Sequence, residues 1–336
     1  MAPADPYFDC RLNTWILSRY SDVAAALREP CLVPASPQSA GPALLPDARV
    51  HAEFRTQALR ALAPVNLQRL EAQFVPLANL MAAALPTGQP VDLMEHYARP
   101  WSLQVAGIAV DVPADRSERL SSLAHSVFEA ACEPYDPAAA ATSRKAVAEL
   151  ALFFQSAPPL NMQMFIALAQ SLPAFLGNAW LELLQHPARL RDLVEDPSLL
   201  PKAIDELLRL AGPAKAQFRQ AAAPVTISGC AIERDRYVLL RLDIANRDAQ
   251  QFPDPDQLRF EGRSPAHLAF GSGLHACVAA TLIRLAAAAA TKALIGRFHF
   301  AGNYTAEPVD ALAVRYVKRL SAVLGPKDAS GPPLCL

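Results

Sequence analysis

One stretch, residues 267–280, carries the residues best suited to chemistry: HLAFGSGLHACVAA. Cys277 follows a run of small residues, with Gly271 and Gly273 before it and His275 two positions upstream. A cysteine presented in this way offers a thiolate sulfur to a metal. The glycines let the backbone turn tightly and approach a flat ligand closely. Backbone N–H groups of such a turn can point at the sulfur and temper its charge, a control that thiolate-ligated metals need. From Val278 the pattern turns helical, so Cys277 stands where a helix begins and the dipole favours an anion. The plainer alternative is a buried cysteine at a loop-to-helix turn.

Two charged pairs come next. His51 and Arg55, at i and i+4 of a helix expected over 48–62, share one face and can grip a carboxylate. Read alone, they fit a solvated basic face better. Glu206 and Arg209, at i and i+3, can pair in the same manner. Between these pairs lies the segment 160–185, apolar nearly all round, which reads as one long buried helix. Its Gln170 and Ser171 are polar residues on that otherwise apolar rod, and Pro173 predicts a kink near Ala169.

Residues 270–277, FGSGLHAC, resemble the haem-binding loop of the cytochromes P450, F-G-x-G-x-H-x-C-x-G. Ala279 stands where that pattern has its last glycine. The resemblance implies a mainly α architecture with a small β portion, forming one haem domain over 1–327 with a loose tail at 328–336. It makes Cys277 the axial ligand of haem b, with Phe270 and Ala279 shaping the loop. It gives His51, Arg55, Arg219 and His275 to the haem propionates, and Glu206 with Arg209 to a buried structural lock whose third partner stays open. It places Gln170 and Ser171 where the family carries an acid and an alcohol that relay protons. An amide does not change protonation near neutral pH, so direct relay through Gln170 is lost; a structural hydrogen-bonding role for it is at least as good a reading. Family members also carry more chain before the long helix, so the roof of the substrate pocket is expected to be reduced, leaving that pocket wide.

The activity so implied is oxidation of a small molecule by a monooxygenase of bacterial secondary metabolism, the substrate free or tethered to a carrier protein. A ferredoxin and its NAD(P)H-dependent reductase would supply electrons. Gln170 keeps open haem-thiolate chemistry of another kind: peroxide use, dehydration, coupling or nitric-oxide chemistry. A non-catalytic partner protein of the same fold is a third reading, which the presence of Cys277 disfavours.

Composition sets the bounds around this reading. The 336 residues are 52% hydrophobic and 19% charged with net charge -1, enough for a large core and without a basic excess for nucleic acid. Cys10, Cys31, Cys132, Cys230, Cys277 and Cys335 show no paired spacing, which fits a reducing cytoplasm. No signal peptide is visible at the N-terminus, and no uninterrupted apolar run reaches the ~20 residues of a membrane span.

The remaining elements follow from periodicity and punctuation. A strand is expected over 13–20, then a helix over 23–28 capped by Ser21 and Asp22, then a loop over 33–47. Helices are expected over 67–84 and 93–108, each kinked or split by Pro76 or Pro100, and over 115–131, 138–155 and 201–210. Strands over 217–220, 225–227 and 237–242 precede the cysteine loop, and a helix over 278–298 follows it.

Overall fold

The computed structural model describes residues 3–35, 48–261 and 265–327. Most of the loop expected over 33–47, and the tail at 328–336, lie outside them. The chain opens with the hairpin β1 (Tyr7–Asp9) and β2 (Thr14–Leu17), followed by α1 (Tyr20–Arg28). The expected cap on α1 does not form. Asp22 lies inside the first turn, buried, accepting from Ser228 Oγ at 2.5 Å, while the Tyr20 N–H donates to the distant Asp248 carboxylate at 2.9 Å.

β3 (Leu32–Pro34) precedes α2 (Ala48–Ala61) and α3 (Pro64–Ala83). Pro76 sits inside α3 without dividing it. After β4 (Pro90–Asp92), a π turn at Met94–Ala98 runs into α4 (Arg99–Val110). Pro100 follows that π turn directly, so the ladder widens where its N–H is missing. α5 (Ala114–Cys132) and α6 (Pro137–Phe153) form an antiparallel hairpin.

The long helix is interrupted where its sequence suggested. α7 (Pro159–Ile166) leads into a π turn at Ala167–Ser171, then α8 (Leu172–Gln185). Pro173 has no N–H for the carbonyl of Ala169, and the ladder accommodates this by widening one turn. By length and composition the span Leu160–Gln185 could cross a bilayer, contrary to the sequence expectation. Two thirds of its apolar window (67%) is nonetheless buried inside the fold, as befits a core helix.

α9 (Pro187–Glu195) and α10 (Leu200–Ala211) follow, then β5 (Ala216–Ala221), β6 (Val225–Ile227), β7 (Cys230–Ile232), β8 (Tyr237–Arg241) and the short α11 (Leu242–Ala245). α12 (Ala280–Arg297) comes next, and the chain closes with the long hairpin β9 (Phe298–Asp310) and β10 (Arg315–Pro326). That last hairpin has no counterpart in the sequence reading. Five strands pair in the order β1-β2-β8-β5-β3, three as β4-β10-β9, and β6 with β7.

Side chains from distant helices lock the core. Trp180 of α8 stacks on Tyr97 with centroids 5.7 Å apart, and its Nε1 donates to Thr291 of α12 at 3.1 Å. The Tyr97 hydroxyl lies 3.2 Å from the carbonyls of Ala78 and Ala290, so α3 and α12 meet at one phenol. The Glu206–Arg209 pair is almost fully buried, with Nη2 to Oε1 at 2.7 Å and Nε to Oε2 at 2.8 Å. Backbone completes it. Arg209 also donates to the carbonyls of Asn246, Pro255 and Gln257, and the Arg259 N–H donates to Glu206. No third side chain is needed, which settles the question left open by the sequence.

Candidate functional site

The cysteine loop is held shut by its own backbone. The Cys277 N–H donates to the Phe270 carbonyl at 2.8 Å, and the Gly271 N–H to Leu268 at 2.9 Å. Gly271 and Gly273 take φ of +70° and +71°, values that side chains resist. Gly273 is also pressed against α1, where an added Cβ would stand 2.8 Å from the Leu27 carbonyl. A 3₁₀ turn at Gly273–His275 then leads to Cys277, and Ala279 is buried at the start of α12.

Burial dominates the electrostatics of Cys277 and pushes its thiol above the ordinary range. Opposing it are a hydrogen bond from the Ala279 N–H and the positive charges of Arg284 and Arg55. Arg55 reaches from α2 to the loop itself, with Nη1 donating to the carbonyls of Leu274 at 2.8 Å and Ala276 at 3.0 Å. Arg284 lies over the Phe270 ring at 4.8 Å and donates to Asp205 at 2.6 Å. His267 accepts at Nδ1 from the Ala269 N–H, so its proton is on Nε2, 3.5 Å from the same carboxylate. His267 first, then Arg284, holds the Asp205 carboxyl below the usual range.

Arg219 on β5 is buried, and desolvation takes its guanidinium down to about 10. It donates to the Phe218 carbonyl and to Gln217 Oε1, but its Nε has no partner. Among the described residues no carboxylate pairs with it. Gln217 in turn lies beside Gly271, where a Cβ would meet its amide at 3.6 Å, so Arg219 is linked to the cysteine loop through one side chain.

On the central helix, Gln170 and Ser171 both fall in the π turn. Gln170 is turned toward α5, with Nε2 donating to the Ser121 carbonyl at 3.1 Å and Oε1 3.3 Å from His125 Nδ1. The Ser171 hydroxyl has no hydrogen-bond partner among the described residues and is only partly buried.

Cys277, Phe270, His275 and Ala279 thus share one loop, with Arg55 behind it and Arg219 one side chain away. The His51 side chain lies outside the described residues. Asp205, His267, Gln217, Ser121 and His125 were missed as supports. Their partners are far off in sequence, and no short-range spacing flags them.

Among the described residues no three metal-ligating side chains cluster, so a metal on Cys277 would take its other ligands from a prosthetic group. A buried guanidinium with a free Nε and no counter-charge suits the anionic edge of such a group. The residues present fit a haem held by a thiolate.

The family model described as Cytochrome P450 matches residues 190–313. The chain is similar to "Vitamin D(3) 25-hydroxylase" of Pseudonocardia autotrophica, 30% identical and covering 94% of this chain and 89% of that protein. That alignment runs over 369 positions, more than the 336 residues available here, so the relative carries segments this chain lacks. Among solved structures, a mutant of P450 EryK in complex with erythromycin B superposes with a TM-score of 0.83 at 22% identity, covering 97% of this chain and 94% of that one. P450BioI in complex with a hexadec-9Z-enoic acid ligated acyl carrier protein gives 0.83 at 23% identity, with 95% and 94% covered. At that identity the two structures speak for the fold.

Proposed function

The chain belongs to the cytochrome P450 family and is an oxidoreductase of the monooxygenase type, and from this premise we propose that it oxidises a bulky, largely apolar small molecule on haem b. The observation that carries the reading is the pairing of a buried loop thiol at Cys277 with the unpartnered cation Arg219. We assign the unit 1–327 to haem binding, where Cys277 would ligate the iron and Arg219, His51, Arg55 and His275 would contact the propionates. When bound, the haem supplies oxygen activation at its iron, with the thiolate donating electron density.

The protein's own residues do the rest. The Ala279 N–H and Arg284 temper the sulfur's charge, and Arg55 fixes the loop carbonyls on either side of His275. Ser171 keeps a hydroxyl at the π turn with no partner among the described residues, available to hold a proton-bearing water. Gln170 cannot relay protons, since its amide is engaged by α5 and does not titrate near neutral pH.

One relative's name guides the substrate class: it is a hydroxylase of vitamin D(3), a large and mostly apolar molecule. The shortened link before α7 agrees with a roomy pocket. Electrons would come from a ferredoxin and its reductase, in the cytoplasm. The test is spectral and then catalytic. The reduced carbon-monoxide complex should show the red-shifted Soret band of a thiolate ligand, and Cys277→Ala should lose it. A spin-state screen of macrolides, sterols and acyl-carrier conjugates should find a ligand that is converted, with a surrogate ferredoxin and NAD(P)H, to a product one oxygen heavier. Retention of the band in Cys277→Ala overturns the ligand assignment.

A second reading is haem-thiolate chemistry that bypasses the acid–alcohol relay, favoured by the engagement of Gln170 with α5. Turnover supported by peroxide alone, at or above the NAD(P)H-driven rate, would select it.

A further inference from the structure

A cavity of about 960 Å³ opens between α3, α9, the end of α12 and the end of β10. Its size falls among small-molecule sites, which run to roughly 1,000 Å³. Leu85, Leu193, Ala293, Ile295 and Phe298 form a buried apolar floor. Three cations, Lys292, Arg297 and Lys327, line it, and no aspartate or glutamate does. Among the described residues none of the three pairs with an acid, and Asp196, next to the lining Pro197, is turned to cap the Ser198 N–H at 3.0 Å. Lys327 is largely exposed, and its partial burial pulls the ammonium below the usual lysine range.

Those cations leave a charge unmatched above an apolar floor. The geometry points to a second ligand site here, taking an organic anion with an apolar body: an aryl or alkyl carboxylate, sulfonate or phosphate. It is separate from the cysteine loop. The lining residues of α12 begin at Ala289, about 14 Å along the helix from Ala280 at 1.5 Å per residue. The apolar body lies on Leu85, Ile295 and Phe298, and the anionic head meets Lys292, Arg297 and Lys327. The site does not depend on the haem reading.

The test uses the full-length, haem-loaded protein saturated with an azole, so that the haem side is closed to the probe. Anilinonaphthalene sulfonate is titrated by fluorescence beside the neutral phenylnaphthylamine. The sulfonate should bind more tightly than the neutral probe. Lys292→Glu combined with Arg297→Glu should weaken sulfonate binding about tenfold or more, as removal of charge-assisted contacts does, and leave the neutral probe within about twofold. Val75→Trp, a filler at a partly exposed lining position, should weaken both probes and leave the carbon-monoxide spectrum unchanged. Equal affinity for the two probes overturns the proposal, as does sulfonate binding indifferent to both the charge reversals and Val75→Trp.

Discussion

Gln170 Oε1 lies 3.3 Å from His125 Nδ1, so the polar residue at the π turn is clasped to α5 rather than aimed into a pocket. Its other end confirms the orientation. The Ser121 carbonyl can only accept, so the amide nitrogen must face it and the oxygen must face His125. Gln170→Leu should therefore loosen α5, costing about 1–2 kcal/mol in denaturant unfolding. Hydrogen exchange should rise around Ser121 and His125. Unchanged exchange there would mean that the clasp does not hold the helix.

Replacing the amide by an acid asks a different question. Gln170→Glu cannot donate to the Ser121 carbonyl, so the side chain is released from α5 as a titratable group and should raise product formed per NAD(P)H consumed several-fold. Ser171→Ala removes the hydroxyl that has no partner among the described residues and should lower the same ratio. If neither variant moves the ratio, the π turn takes no part in proton delivery.

Arg219 should show opposite effects with and without haem. Its guanidinium is lowered to about 10 by burial, so at neutral pH it remains charged at a cost to the haem-free fold. From about pH 10 up to the ordinary arginine range the unfolded chain binds more protons, and stability of the stripped protein rises through that window. Arg219→Leu should then leave the haem-free protein as stable or more so, and release haem several-fold faster from the loaded one. Unaltered haem release would remove Arg219 from the site.

Asp205 governs the acid limit. His267 and Arg284 hold its carboxyl below the ordinary range, so its stabilisation is full above that range and lost as pH falls through the lowered value. Haem retention should drop only once pH has fallen below the ordinary carboxylate range, where this carboxylate takes up its proton. Asp205→Asn should begin to lose haem at higher pH than the parent. Superimposable acid curves would show that the tether is dispensable.

Particular residues show which parts of this architecture could be read from sequence. The break near Ala169 was legible because Pro173 lacks an N–H, a local fact. The Glu206–Arg209 pair was legible by spacing, whereas its completion by carbonyls at Asn246, Pro255 and Gln257 depends on a loop some 40 residues on. The same holds for α1. Ser21 and Asp22 read as a cap, yet the capping carboxylate belongs to Asp248, which only the fold brings near. Pro76 was read as kinking or splitting its helix, and α3 is not split there. The closing hairpin was overlooked because β9 and β10 carry Gly302, Pro308 and interspersed charges, and their register shifts at two places. In the site, the cysteine loop was plain from its glycines, while the direction of Gln170 was fixed by Ser121 and His125, more than 40 residues away.

The link between α6 and α7 has a mechanical consequence. Only residues 154–158 connect them, and Phe154 is buried, packed against Phe165 at 6.0 Å between centroids. Fully extended, five residues reach about 17 Å, and an anchored phenylalanine leaves far less slack than that. The α5–α6 hairpin is thus moored twice to the central helix, through this short leash and through the Gln170 clasp. A swing of the hairpin would drag the π turn with it. The position of that hairpin and the geometry at Ser171 are, in this chain, mechanically tied.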